Sequence, residues 1–167
     1  MRVTSFFLVN IRFTGRHLLP DTVVWFPEKQ FPFFRLTEAP ISMPWLAPEG
    51  KTIITADIGC KKGDEIWSMS EGALEDLCLE HLEKLLPEAR GRHLGCSVLR
   101  TPVAYPVFIN QYEEERQQFE ASTGIDNLIS VGRNGEFSHI FMEDVYWRTR
   151  AKIDALVERL GVLARSY

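Results

Sequence analysis

The sequence predicts an α+β protein with a mostly antiparallel sheet packed against helices. Segments rich in β-branched and aromatic residues fill the first half of the chain, and the early ones are spaced closely enough for hairpins. Segments with helical periodicity lie mainly in the second half. This separation favours an α+β domain over a doubly wound parallel sheet. We expect a single domain over residues 1–167, with sheet and helices in 1–127 and a strand–turn–helix in 128–167.

The predicted strands share an enrichment in β-branched and aromatic residues, and they are residues 3–13, 23–26, 33–37, 51–58 and 93–99. Between the third and the fourth, residues 38–50 contain Pro40, Pro44, Pro48 and Gly50, which predicts a structured loop. A proline also makes residues 104–108 extended. The last predicted strand is residues 128–131.

Three helices are predicted from apolar periodicity and end signals. The first covers residues 70–86, because Ser70 can cap it and Pro87 stops it. A short, charge-rich helix follows at residues 112–121. The final helix covers residues 143–160, and its apolar spacing predicts four buried side chains, Ile153, Leu156, Val157 and Leu160.

Composition excludes several classes of function. The chain has 167 residues, is 45% hydrophobic and 25% charged, and carries a net charge of −4 with interspersed signs. No basic stripe suggests a nucleic-acid partner, and no apolar run reaches membrane-spanning length. Because no signal peptide is apparent, we expect a cytoplasmic location. The three cysteines and four histidines are scattered without metal-ligand spacing, so we expect neither a disulfide framework nor a metal site.

The most informative stretch is residues 128–137, LISVGRNGEF, followed by residues 142–149, MEDVYWRT. It predicts a short strand, a turn with two glycines, and a helix opened by acidic residues. Such a turn gathers free backbone N–H groups that can hold a phosphate. Gly132 and Gly135 would allow close approach of a ligand, and Arg133 could pair with an anion. The alternative is an ordinary connection in which glycine supplies a positive φ.

The same residues resemble a known signature. Residues 131–137, with Met142 and Glu143 beyond them, resemble the C-terminal flavin-binding segment of the FAD-dependent amine-oxidoreductase superfamily. The similar branches are the protoporphyrinogen-oxidase-like and UDP-galactopyranose-mutase-like proteins. The order of the segments from Ala104 onward agrees, and the resemblance is specific only between Ala104 and Thr149.

This resemblance implies a fold, a cofactor and a set of contacts. The fold would be the substrate domain of amine-oxidase-like flavoproteins with its flavin-contacting strand–turn–helix. The cofactor would be FAD, to which a substrate transfers a hydride. Gly132, Arg133 and Gly135 would contact the diphosphate, while Met142 and Glu143 would lie near the ribityl chain or the isoalloxazine ring. No catalytic residue is identified.

Two departures from the family pattern limit what the resemblance implies. Ser138 and His139 stand where the sugar mutases have Arg and Tyr, which weighs against mutase activity on a UDP-sugar. The chain also lacks a Gly-x-Gly-x-x-Gly motif after a strand. We therefore expect the C-terminal part of a flavoprotein whose N-terminal Rossmann dinucleotide-binding half is absent or supplied by a partner chain, so that this chain by itself lacks full activity.

Three residues are candidates for substrate binding: Arg35, Ser138 and His139. Arg35 could reach a substrate carboxylate or stack on an aromatic ring, although an arginine in this setting is more often salt-bridged at a sheet surface. His139 could act as an acid or base, although a lone histidine beside apolar residues is more often structural.

Two other functions remain open. One is a non-catalytic binding or interaction module derived from such a flavoprotein, and the other is a fragment of a mutase-like, redox-neutral flavoenzyme. A fragment would leave apolar side chains of residues 3–13 and of the last helix uncovered, so we expect a homodimer or larger assembly.

Overall fold

The computed structural model describes residues 3–121, 123–126, 128–159 and 161, and its contacts group into two compact units, Arg2–Tyr105 and Pro106–Tyr167. The strands are β1 (Val3–Thr14), β2 (Val23–Trp25), β3 (Arg35–Thr37), β4 (Lys51–Cys60) and β5 (His93–Pro106). The helices are α1 (Glu65–Ser68), α2 (Glu71–Leu82), α3 (Ala89–Arg92), α4 (Tyr112–Ala121), α5 (Gly132–Gly135) and α6 (Met142–Arg159).

The strands form one sheet in the order β2-β3-β4-β1-β5. At its centre β1 pairs with β4 in an antiparallel register that runs from Ser5↔Cys60 to Thr14↔Lys51. The β3–β4 and β2–β3 pairs are also antiparallel. Two threonines of β1 show that the outer strand β5 also runs antiparallel to β1, because Thr4 Oγ1 donates to Tyr105 O near the end of β5 at 3.1 Å and Thr14 Oγ1 donates to Arg92 O, just before β5, at 3.4 Å. The predicted α+β class with an antiparallel sheet is therefore confirmed.

The core lies on one face of this sheet. Alternate residues of β1 are completely buried, and they are Phe7, Val9, Ile11 and Phe13. The helix α2 covers them with its own buried residues, Leu74, Cys78, Leu79 and Leu82. The expectation that the apolar side of residues 3–13 would be left uncovered is wrong, because the helices of the same unit bury it.

The predicted elements of the first unit are largely confirmed, with shifted ends. Ser70 Oγ accepts from the Ala73 amide at 3.2 Å and starts α2, which ends at Leu82 rather than at residue 86. The outer strand β5 ends at Pro106 and so includes residues 104–106 of the segment 104–108 that was predicted to be extended. Helix α4 covers residues 112–121 as predicted.

The proline-rich loop of residues 38–50 is structured, as predicted. It contains two 3-10 turns, Ala39–Ile41 and Pro44–Leu46. The Arg16 guanidinium holds the second half of this loop in place by donating to three backbone carbonyls, those of Pro44 at 3.0 Å, Ala47 at 2.7 Å and Pro48 at 3.0 Å.

Two predictions for the second unit are wrong. Residues 128–131 are not a strand, since all strands in the described part of the chain lie between Val3 and Pro106. A segment with high β-propensity forms a strand only where a neighbour supplies hydrogen-bond partners. Helix α6 has no buried residue among those described: Ile153 is 43% exposed, and Leu156 and Val157 are half-buried. Leu160 lies outside the described residues.

Within the described part of the chain, no helix is both long enough and apolar enough to cross a bilayer.

A buried carboxylate fixes the loop before β2. Glu38 is completely buried, and its two oxygens accept from the Leu19 amide at 2.7 Å and from Thr52 Oγ1 at 2.8 Å. Both donors lie in the interior and have lost their contact with water, so the carboxylate is needed to satisfy them.

We predict that Glu38→Ala lowers the free energy of unfolding by about 2–4 kcal/mol, because it leaves two buried donors without acceptors. Urea denaturation measures the change, with Glu49→Ala as the exposed control. Equal effects of the two substitutions would contradict the assigned role.

Candidate functional site

The predicted glycine turn lies in the second unit, where it forms the one-turn helix α5. Gly132 has a φ of +84°, a left-handed conformation that costs an L-residue about 1–2 kcal/mol. At Gly135 an added Cβ would lie 2.9 Å from Ser130 Oγ, and the Ser130 hydroxyl donates to the Gly135 carbonyl at 2.6 Å. Contacts and backbone geometry within the second unit therefore explain why glycine occupies both positions.

Arg133 contacts the polypeptide itself. Its Nη1 donates to the Ile140 carbonyl at 2.9 Å, which ties α5 to the segment that leads into α6. The guanidinium predicted to bind an anion thus also holds the turn in shape.

The beginning of α6 is exposed. The Phe141 amide donates to Asp144 Oδ2 at 3.1 Å, so Asp144 caps the helix while its charge favours the helix dipole. Met142 is 90% exposed and Glu143 is also exposed. In an α-helix the first-turn amides have no carbonyl acceptor within the helix. The exposed residues Met142 and Glu143 therefore lie where the backbone amides lack acceptors within the helix.

A buried carboxylate joins α5 to α6. The Glu136 side chain is 1% exposed, and Oε2 accepts from Arg148 Nη1 at 3.0 Å. Lys152 Nζ lies 3.1 Å from the other oxygen, an ion pair without hydrogen-bond alignment. Both cations come from α6, so Glu136 fixes the distance between the glycine turn and this helix.

Helix α4 enters the same network through Arg116. This guanidinium pairs with Glu113 at 2.6 Å and with Glu120 at 2.8 Å. Ser138 is buried, and its hydroxyl accepts from both Arg116 and Arg148 at 3.3 Å. Ser138, predicted to contact substrate, thus connects two arginines inside the unit.

The three predicted substrate residues do not share one unit. His139 is exposed, and its ring packs edge-on against Phe108 with the centroids 5.7 Å apart. Arg35 lies in the first unit, where it forms an ion pair with Asp57. The salt-bridged alternative for Arg35 is therefore what the structure shows.

Sequence reasoning missed Glu136, Arg148 and Asp57. Asp57 had a readable signal, since a carboxylate in the middle of an otherwise apolar central strand is rarely buried without a partner. Glu136 and Arg148 gave no such signal, because each sits among charged and polar neighbours and their pairing depends on the angle between α5 and α6. Among the described residues no group of histidine, cysteine and carboxylate side chains could hold a metal ion.

Comparison with known proteins gives similarity of fold. No family model and no curated protein matches the sequence. A structure of reduced UDP-galactopyranose mutase is similar, with a TM-score of 0.62 and 18% sequence identity, and the match covers 82% of this chain and 29% of the mutase chain. A putative protoporphyrinogen oxidase from Exiguobacterium sp. 255-15 matches 78% of this chain and 30% of its own, with a TM-score of 0.58 and 17% identity.

At these identities the likeness shows the fold alone. The fold predicted from the resemblance is therefore confirmed at this coarse level, and the chain spans about 30% of the length of these two structures. The activity of the longer proteins does not follow from it.

We predict that Glu136→Ala destabilises the second unit by about 1–3 kcal/mol, less than a fully buried pair would give because Arg148 and Lys152 regain water. Hydrogen exchange of α6 amides measures the loss, and Glu158→Ala on an exposed position of α6 is the control. Unchanged protection in Glu136→Ala would rule out the role.

A second prediction concerns the stability of the second unit at acid pH. Hydrogen bonds from Arg116 and Gln117 lower the pKa of Glu113 from its usual value to about 2. Because the folded pKa lies below the unfolded one, this interaction stabilises the fold above about pH 4.5 and is lost as the pH falls towards 2. NMR titration should show the low pKa, and Arg116→Ala should restore an ordinary one. A normal Glu113 pKa in the wild type would contradict the pairing.

Proposed function

We propose that this chain is the substrate-domain and flavin-contacting part of an FAD-dependent, amine-oxidase-like oxidoreductase. The observation that carries the proposal is the start of α6, where exposed Met142 and Glu143 frame amides without helical acceptors, next to the turn of Gly132 and Gly135. The similarity of fold to a mutase and to a putative protoporphyrinogen oxidase supports it.

The residues of the turn fit a flavin in part. A helix of 18 residues has a positive N-terminal end that favours an electron-rich or anionic group. Arg133 fits less directly, because its guanidinium donates to the Ile140 carbonyl. We therefore assign it the role of holding the α5–α6 connection in a shape that presents these amides.

In the complete enzyme a bound flavin would accept a hydride from the substrate. The chain's own contribution would be to orient one edge of the cofactor with the α6 amides. The buried Glu136 would keep the two helices in place through Arg148 and Lys152. The dinucleotide-binding fold would come from a further segment or from a partner chain.

A second candidate is a non-catalytic binding module, and a specific observation favours it. The positive φ of Gly132, the Ser130 contact of Gly135 and the Arg133–Ile140 hydrogen bond account for the turn without any ligand. A module that has lost flavin binding would retain these internal contacts.

Titration with FAD separates the two candidates. We expect saturable quenching of flavin fluorescence by the purified chain, and at least about tenfold weaker binding for Arg133→Ala, equivalent to ~1.4 kcal/mol. Arg150→Ala, on an exposed position of the same unit, is the matched control and should bind as the wild type does.

If the wild-type chain shows no saturable quenching, or if Arg133→Ala and Arg150→Ala behave alike, the flavin site assigned to this chain is wrong. The binding-module function then becomes the better account of the turn.

A further inference from the structure

A buried carboxylate lies on the face of the sheet opposite the core. Asp57 occupies the middle of β4, and its cross-strand neighbours are Leu8 of β1 and Arg35 of β3. Its flanking residues Ala56 and Ile58 point into the core, so Asp57 points to the other face. The Asp57 side chain is nevertheless only 1% exposed.

The ion pair of Asp57 uses only one carboxylate oxygen. Arg35 Nε donates to Oδ2 at 2.6 Å, and Arg35 Nη2 pairs with the same oxygen. Oδ1 is buried and has no hydrogen-bond partner in the described part of the chain. Leaving a buried carboxylate oxygen unpaired is energetically unfavourable. An unpaired buried acceptor of this kind suits a hydrogen-bond donor from outside the polypeptide.

The space for such a donor lies beside Asp57 on the same face. Gly59 is the next residue of β4 on that face, and an added Cβ there would meet nothing within 4 Å. Phe6, the cross-strand partner of Gly59, stacks on Tyr105 with the ring centroids 6.0 Å apart. The glycine therefore leaves a gap in the row of side chains, with an aromatic ring on one side and the carboxylate on the other.

A second ring borders the ion pair on the side of β2. The Arg35 guanidinium lies 5.3 Å from the centroid of the Trp25 ring, which also stacks with Phe34 at 6.2 Å. Trp25 is 62% exposed and the Arg35 side chain 34% exposed. Neither side chain belongs to the core, and both remain partly open to solvent, so a ligand can contact them.

The charges decide which ligand suits this place. Arg35 and Asp57 carry opposite charges at contact distance, so the pair presents no net charge to attract either an anion or a cation. A hydroxyl group can donate to Oδ1 and accept from an N–H of Arg35 that Asp57 does not use. Burial raises the pKa of Asp57, and Arg35 opposes that rise. A further hydrogen-bond donor would stabilise the charged form of the carboxylate in the same way as Arg35 does.

We propose that the face formed by Trp25, Arg35, Asp57 and Gly59 binds an uncharged, ring-bearing alcohol whose hydroxyl donates to Asp57 Oδ1. The ring lies against the exposed aromatic side chains, where it displaces water from apolar surface. The proposal does not rest on the proposed function. Binding itself needs no flavin.

Three probes with the same ring and different charge test the proposal: benzyl alcohol, benzoate and benzylamine. In NMR titrations of the isotope-labelled chain, benzyl alcohol should shift the Asp57 and Gly59 amides and the Arg35 Nε–H signal in a saturable way. Benzoate and benzylamine should bind at least tenfold more weakly at these signals.

Two variants locate the site. Trp25→Ala should weaken benzyl alcohol binding severalfold, whereas Trp45→Ala, which removes a similarly exposed tryptophan of the same unit, should not. Asp57→Asn retains the shape of the side chain and should abolish the preference for the alcohol over benzoate.

Tighter binding of benzoate would overturn the proposal in favour of an anion site on Arg35. Tighter binding of benzylamine would overturn the charge argument. The absence of saturable shifts with all three probes would mean that an ordered water satisfies Oδ1. Since FAD is absent from every titration, failure here is distinguishable from failure of the flavin site.

Discussion

The ladder between β1 and β4 is the constraint on which the first unit depends. These two strands are distant in sequence, yet they pair without interruption from Ser5↔Cys60 to Thr14↔Lys51. The side-chain period of a strand is two, so this register decides which residues face the helices and which face away. A slip of β1 by one residue would place Phe7 and Ile11 on the same face as Asp57, away from the core. The hydrophobic core and the proposed alcohol site are therefore two results of one register.

The second unit is held together by different physics. Helix α6 buries no residue among those described, while Glu136 is buried between Arg148 and Lys152. Arg116 links α4 to the same network through Ser138. Because the cations remain partly exposed, salt screens these attractions more than it would screen a buried pair. A higher ionic strength should therefore lower the stability of the second unit and leave that of the apolar core of the first unit nearly unchanged.

The sequence predicted the first unit well because its signals are local. The alternation of residues 3–13, the cap at Ser70 and the prolines of residues 38–50 each act within a few residues. The errors arose where the outcome depends on a distant partner. Residues 128–131 have the composition of a strand but no neighbour to pair with, and the periodicity of α6 predicts an apolar face without saying what covers it. The pairing of Asp57 with Arg35 was beyond local reasoning for the same reason, since it requires the β3–β4 register.

The anchoring of the proline-rich loop has a consequence for proteolysis. Trp45 and Leu46 are exposed there, and in an unstructured segment they would be favoured sites for chymotrypsin. A protease must accommodate several residues in an extended form, and exposed loop tips are cut when they can adopt it. Here Arg16 donates to the carbonyls of Pro44, Ala47 and Pro48, which lie on both sides of the Trp45–Leu46 peptide bond. Cleavage therefore has to wait for local unfolding, and this loop should persist intact while less tightly held segments are cut.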